Sequence, residues 1–236
     1  MKTISIIHPS RGRAYQAKET ADRWIAKSSG TVPIEYILSI DTSDPQKADY
    51  LALFEKAIIT LADNTCVVEA ANAGARNADG DIFVLVSDDF DCFVDWDLKL
   101  VEAFTGNECR VLKTYDGTQK WIVTLPIMDK AYYNMQGYLY CPEYKHMFAD
   151  TDQTHKAEIE GRLLFRNDLV FTHNHYSTGA NKKDEVNVKA DATWAQGEEV
   201  YLRRVREGFG YNDVDVFKVS DLGKHHINWL KKKLNQ

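Results

Sequence analysis

No stretch of these 236 residues approaches the roughly 20 consecutive apolar positions that a membrane-spanning helix requires. The first strand pattern starts almost at residue 1 with no leader ahead of it, so no signal peptide is expected and the chain reads as soluble and cytosolic. Cysteine is sparse. Cys66, Cys92, Cys109 and Cys141 lie far apart with no CxxC pair, which argues against a zinc site or a disulfide framework. They read as small buried hydrophobes in a reducing compartment. Basic charge is not in excess either, and a formal net charge of −6 argues against a surface coated for polyanions. Linkers, internal repeats and low-complexity segments are also missing, so a single domain over 1–236 is expected.

What is present is an apolar content of 44%, enough for a substantial core. Residues Thr3–Ile7 read as a buried strand, and Ala14, Ala17, Ala21, Trp24 and Ile25 have helical spacing. Glu35–Ile40 reads as a second strand, followed by the turn-rich Asp41–Pro45. Tyr50, Leu51, Phe54, Ile58 and Leu61 suggest one face of a second helix. A short strand is expected at Cys66–Val68, then a helix over Asn72–Ala78 and a continuous apolar strand at Ile82–Val86. Apolar strands alternating with helices predict an α/β fold, a doubly wound and mostly parallel sheet. Ligands of such sheets bind beyond the carboxyl ends of the strands.

The second half is less regular. Short strands are expected near Trp121–Thr124 and Tyr138–Tyr140, and helices over Gln153–Glu160, Thr193–Arg206 and the basic Lys224–Gln236. Ala131–Tyr140 is rich in tyrosine, suited either to packing or to holding a sugar or base acceptor. His225 and His226 read as surface residues. The Trp229–Lys233 tail is either an exposed amphipathic end or a contact to an anionic surface.

The sharpest feature is Ile82-Phe-Val-Leu-Val-Ser-Asp-Asp-Phe-Asp91, an apolar strand that empties into Asp88, Asp89 and Asp91. Successive residues of an extended chain point to opposite sides, so Asp88 and Asp89 should not both face one ion. Carboxylates there suit a hard divalent cation that bridges phosphate oxygens. They also suit a solvated turn capping the helix that starts near Asp95–Asp97.

The run AGARNADGDIFVLVSDDF, followed by FVDWDLKLVEAF, resembles the GT-A glycosyltransferases, especially the large inverting group typified by family 2. The resemblance implies a GT-A fold with a nucleotide-sugar-binding half over 1–104 and an acceptor-side half over 105–236. It aligns Ser87 with the first aspartate of a DxD motif. Asp89 then falls to a divalent metal, Mn2+ or Mg2+, and Asp88 to the donor's ribose or sugar. The loop after the first strand, with Pro9, Ser10, Arg11 and Arg13, is expected to touch the nucleotide. Arg11 or Arg13 would pair with its diphosphate, or else be surface arginines. Asp41 would receive the base, or form an Asx turn. Asn72 and Arg76 would serve the donor from the preceding helix.

In Met147-Phe-Ala-Asp150-Thr-Asp152 the resemblance makes Asp150 the catalytic base, with Ala149 in place of the usual glutamate and Asp152 capping the helix. His173 and His175, two apart in an extended segment, face one side. One of them would complete the metal shell. The activity so implied is transfer of a sugar, a UDP-sugar being favoured, to a hydroxyl acceptor with inversion. The acceptor could be a glycan or a modified nucleic-acid base, since compact transferases of this sort occur in bacteriophages that decorate their DNA. A nucleotidyltransferase is the competing enzyme class, although the loop His8–Arg13 lacks the expected glycine-rich run with a lysine. A non-catalytic nucleotide-sugar or glycan-binding module is the third reading.

Overall fold

The computed structural model describes residues 2–219 and 223–234. The first half alternates strand and helix: β1 (Ile4–Pro9), α1 (Ala14–Ala26), β2 (Ile34–Asp41), α2 (Lys47–Leu53), β3 (Ile58–Ala62), α3 (Val67–Ala75) and β4 (Ile82–Leu85). Then come the two-residue β5 (Phe90–Asp91), α4 (Trp96–Phe104), β6 (Val111–Tyr115), β7 (Ile127–Asp129) and α5 (Lys130–Gln136). The rest comprises α6 (Ala149–Ile159), β8 (Leu163–Val170), β9 (Thr172–His173), α7 (Glu185–Asp191), α8 (Trp194–Arg206) and α9 (Lys224–Leu234). No described helix is long and apolar enough to cross a membrane.

Seven strands form one sheet in the order β3-β2-β1-β4-β7-β6-β8. The first four run parallel, while β7 pairs antiparallel with both β4 and β6. The sheet therefore draws strands from both halves of the chain. Strand alternation divides the core between its faces. Ile4, Ile6, Ile82 and Val84 pack with Trp24, Trp96 and Phe104 on one side; Ile7, Ile37, Phe83 and Leu85 pack with Ala71 and Ala75 on the other. The small residues of α3 have a physical reason. A methyl at Gly74 would lie 2.8 Å from the Ile7 Cγ2 and 3.2 Å from the Ser39 Cβ, so only glycine lets this helix lie so close to the sheet.

Several expected elements are corrected. The helix read through Leu61 ends at Leu53, and Ile58–Ala62 pairs with β2 as an edge strand. Its apolar residues mimic helical spacing, but the β-branched Ile58-Ile59-Thr60 run suits an extended edge. The strand expected at Cys66–Val68 is instead the start of α3, where the Glu69 carboxylate accepts from the Thr65 amide and hydroxyl. Neither 121–124 nor 138–140 is a strand; among the described residues the strands of this half are β6, β7, β8 and the short β9. The tyrosine-rich stretch is mostly α5, capped by the Asp129 carboxylate and stopped by Gly137 at φ 83°. Its Tyr132 is buried and bonds Glu160, so it serves packing. His226 is half-buried, with its ring 2.9 Å from the Tyr201 hydroxyl. The last two residues of the expected C-terminal helix lie outside the described residues.

Candidate functional site

At the carboxyl end of β4, Asp88 and Asp89 part ways as strand alternation requires. The Asp88 carboxylate turns under the loop that follows β1. Its Oδ1 accepts from His8 Nε2 at 2.9 Å and from the Ser10 hydroxyl at 2.8 Å, and its Oδ2 lies 3.5 Å from the Arg13 guanidinium. The Asp89 carboxylate faces the second half of the chain. Its Oδ1 accepts from the Ser87 hydroxyl at 2.6 Å, and its Oδ2 lies 3.3 Å from His173 Nε2. Burial works against the charged form of Asp89, but the hydrogen bond and charge of His173 and the Ser87 hydroxyl outweigh it and hold the carboxyl at about 2. Ser87 thus supports the carboxylate two residues further on.

A two-stranded ribbon brings His173 here. Phe90 pairs with His173 and Asp91 with Thr172, and the Asn174 amide donates to the Asp89 carbonyl at 2.8 Å. The His173 ring stacks on Phe90 with centroids 4.2 Å apart, and the His175 ring lies 5.0 Å away. His175 bonds Ser177, and burial followed by the neighbouring His173 lowers its basicity. Asp91 is not free to join Asp89, because Lys27 and Arg23 hold its carboxylate at 2.8 and 3.1 Å.

Asp150 lies in the first turn of α6, as expected, and is half-buried. Burial raises its carboxyl above the usual range, although the Thr151 amide and hydroxyl pull the other way and His173 is close enough to add its charge. Asp152, in the same first turn, is no solvated cap. It is buried and held by Arg204 through contacts of 2.6 and 3.2 Å, and by the Tyr144 hydroxyl at 2.8 Å. That ion pair fastens α8 to α6 and so fixes the turn that carries Asp150.

The β1 loop lies against Asp88, next to the carboxyl end of β2. Pro9 closes β1, and buried Ser10 bonds the Tyr50 hydroxyl at 2.6 Å. Arg11 lies 3.2 Å from the Asp41 carboxylate. Burial of Asp41 is outweighed by bonds from Ser43 and Arg11, which keep its carboxyl below the ordinary value. Arg13 reaches across to Asp184 at 2.6 Å. A cleft of about 670 Å³ opens beside Asp88 and Asp89, lined by Arg13, Thr20, Arg23, Asn174 and Asp184 among others; of the expected site residues, Arg13, Asp88 and Asp89 line it.

Pro9, Ser10, Arg11 and Asp41 stay on the β1–β2 side and do not line this cleft, and two further expected donor contacts are not brought near it at all. Asn72 spends its amide on the backbone of residues 139 and 140, accepting at 2.8 and 3.1 Å and donating at 2.7 Å. Arg76 caps the carboxyl end of α3. A helix that leaves a strand at the ligand end begins there and finishes at the far edge of the sheet, which is where Arg76 is exposed. Other residues join the site without having been expected: His8, Tyr36 and Tyr50 beneath Asp88, and Arg204 behind Asp152. Only His8 carried a sequence signal, its place at the end of the first strand.

No protein-family model matches the chain, and no curated protein sequence matches it. Solved structures do. A mannosyltransferase from Pyrobaculum calidifontis, PcManGT in complex with GDP-Man and Mn2+, superposes with a TM-score of 0.66 at 14% identity, over 99% of this chain and 70% of that one. The chain has a GT-A-type fold. S. aureus TarS in complex with UDP-GlcNAc matches with a TM-score of 0.63 at 16% identity, over 99% of this chain and 71% of that one. A longer TarS structure gives 0.62 at 13% identity, over 99% of this chain and 43% of that one. At such identities the likeness speaks for the GT-A fold, and function rests on the site.

Proposed function

We propose that the chain is a divalent-metal-dependent glycosyltransferase, moving a sugar from a nucleotide-diphosphate donor to a hydroxyl acceptor with inversion. The observation that carries this reading is the pairing of Asp89 with His173 where β4 ends, with Arg13 and Asp88 lining the same cleft as Asp89 and Asp150 near enough to feel the charge of His173. Structures of similar fold hold GDP-Man with Mn2+ and UDP-GlcNAc, which supports a nucleotide-sugar donor.

The donor set fits a hard or borderline divalent ion. The Asp89 carboxylate and, once an ion displaces its proton, the His173 nitrogen 3.3 Å away would offer one oxygen and one nitrogen. Among the described residues, no group of three or more His, Cys, Asp or Glu side chains is arranged to hold an ion. Asp89 and His173 would thus supply two positions and leave the others to phosphate oxygens and water, with His175 beside them. A bound ion would neutralise the diphosphate as negative charge develops on it.

The chain's own residues supply the rest. Arg11 and Arg13, now paired with Asp41 and Asp184, exchange these carboxylates for donor phosphates. Asp41 is then open to the N–H edge of the base, and Asp88 to a donor hydroxyl. Asp150, made more basic by burial, takes the proton of the acceptor hydroxyl as it attacks. Calorimetric titration with UDP, GDP and their sugars, with and without Mn2+, tests the proposal. Metal-dependent binding of one nucleotide supports it, and binding of none overturns it.

A further inference from the structure

Beneath the cleft lies a buried polar network that the proposed chemistry uses only at its Asp88 and Arg13 ends. His8, next to last in β1, has no exposed surface, and its ring sits between two oxygens: the Tyr36 hydroxyl at Nδ1, and Asp88 Oδ1 at Nε2. The sheet register produces this placement. Ile6 pairs with Tyr36 and His8 with Leu38, so the Tyr36 and His8 side chains share a face, while Val86 bonds back to Ile7 and delivers Asp88 next door. A second branch reaches the same oxygen. The Arg13 amide donates to the Tyr50 hydroxyl at 3.0 Å, Tyr50 lies 2.6 Å from the Ser10 hydroxyl, and Ser10 donates to Asp88 Oδ1.

The proton positions follow from the acceptors. A carboxylate only accepts, so a neutral His8 places its proton on Nε2 and leaves Nδ1 to accept. Burial raises the Tyr36 phenol well above its ordinary value, so it stays protonated and donates to that nitrogen. Both branches therefore end on Oδ1. Oδ2 has the Arg13 guanidinium at 3.5 Å as its neighbour.

We infer that His8 is a positioning residue for donor binding, acting through Asp88: it holds Oδ1 under the loop so that Oδ2 faces the cleft and accepts a hydroxyl of the donor. This rests on the proposed reading of the cleft as a nucleotide-sugar site. Tyr36 fixes the ring that fixes the carboxylate. Without His8 the Asp88 carboxylate turns toward the cation of Arg13.

The test measures UDP and GDP affinity calorimetrically, with Mn2+ present, for the full chain and its variants. His8→Leu should weaken nucleotide binding about tenfold or more, the loss typical of a charge-assisted hydrogen bond. His8→Gln, which returns an N–H donor to Asp88, should recover most of it. The deciding comparison is a double-mutant cycle. If His8 acts through Asp88, adding His8→Leu to Asp88→Asn should cost no further affinity, whereas additive losses overturn the inference. Should His8→Leu fail to fold, Tyr36→Phe removes a single hydroxyl. Weaker binding at an unchanged melting temperature supports the network, and unchanged binding overturns it. If the unmodified chain binds nucleotide and His8→Leu binds equally well, only this inference falls. If the unmodified chain binds neither nucleotide, the proposed function falls with it.

Discussion

His155 offers a test of how the second half is held together. It is fully buried on α6, with Nδ1 2.7 Å from the Tyr201 hydroxyl and Nε2 2.7 Å from the Val216 carbonyl. A carbonyl only accepts, so Nε2 carries the proton and Nδ1 takes the Tyr201 hydrogen. Burial, only partly offset by the Val216 carbonyl, lowers the pKa from 6.5 to about 4, and His226 nearby adds to the lowering. As pH falls, the unfolded chain binds its proton first. The stabilisation is therefore complete above about pH 6.5 and is lost progressively toward about pH 4. The gap of roughly 2.5 pH units, at about 1.36 kcal/mol each, amounts to about 3 kcal/mol, of which about 2 kcal/mol is gone by pH 5.

Urea unfolding followed by tryptophan fluorescence at pH 7.5 and pH 5.0 reads this directly. His155→Gln keeps an N–H for the Val216 carbonyl but does not titrate. Other titrating groups, His226 among them, largely cancel in the comparison. The unmodified chain should lose about 2 kcal/mol more than the variant between the two pH values. Equal losses would refute the reasoning, because His155 would then not be a neutral buried group that resists protonation.

Three further outcomes concern the site. Asp89→Ala removes the charged half of the Asp89–His173 pair and should abolish Mn2+-dependent nucleotide binding; an unchanged metal titration rules out the ligand assignment. Asp150→Asn should leave donor binding intact while transfer falls by roughly two orders of magnitude or more, and transfer that survives places the base elsewhere. Gly197→Ala would set a methyl 2.2 Å from the Met147 carbonyl oxygen, in the segment that leads into Asp150. Backbone cannot swing aside as a side chain does, so α8 must shift at a cost of about 1–3 kcal/mol. Melting should drop by roughly 2–4 °C for each kcal/mol, and an unmoved transition would show that the helices do not press there.

The amino-acid order alone determined the parallel half of the sheet. Three of its four strands, at 4–9, 34–41 and 82–85, are apolar runs separated by helical or turn signals, and nothing distant is needed to read them. It also determined that Asp88 and Asp89 diverge, since that follows from the strand repeat. Position marked Asp150 as the start of a helix. Tertiary structure decided what these groups meet. His173 reaches Asp89 only because Phe90–Asp91 pairs with Thr172–His173, a match between segments more than 80 residues apart that no local pattern encodes. Asp152 was legible as a helix-start residue, but Arg204, 52 residues away, makes it a buried anchor. Asn72 had the composition of a ligand contact, and the fold spends it on backbone. The edge strand at Ile58–Ala62 defeated periodicity because its half-exposed apolar residues repeat as a helix face would. Local periodicity is a property of neighbours in sequence; hydrogen-bond pairing and charge compensation are properties of neighbours in space, and the site is built from the second kind.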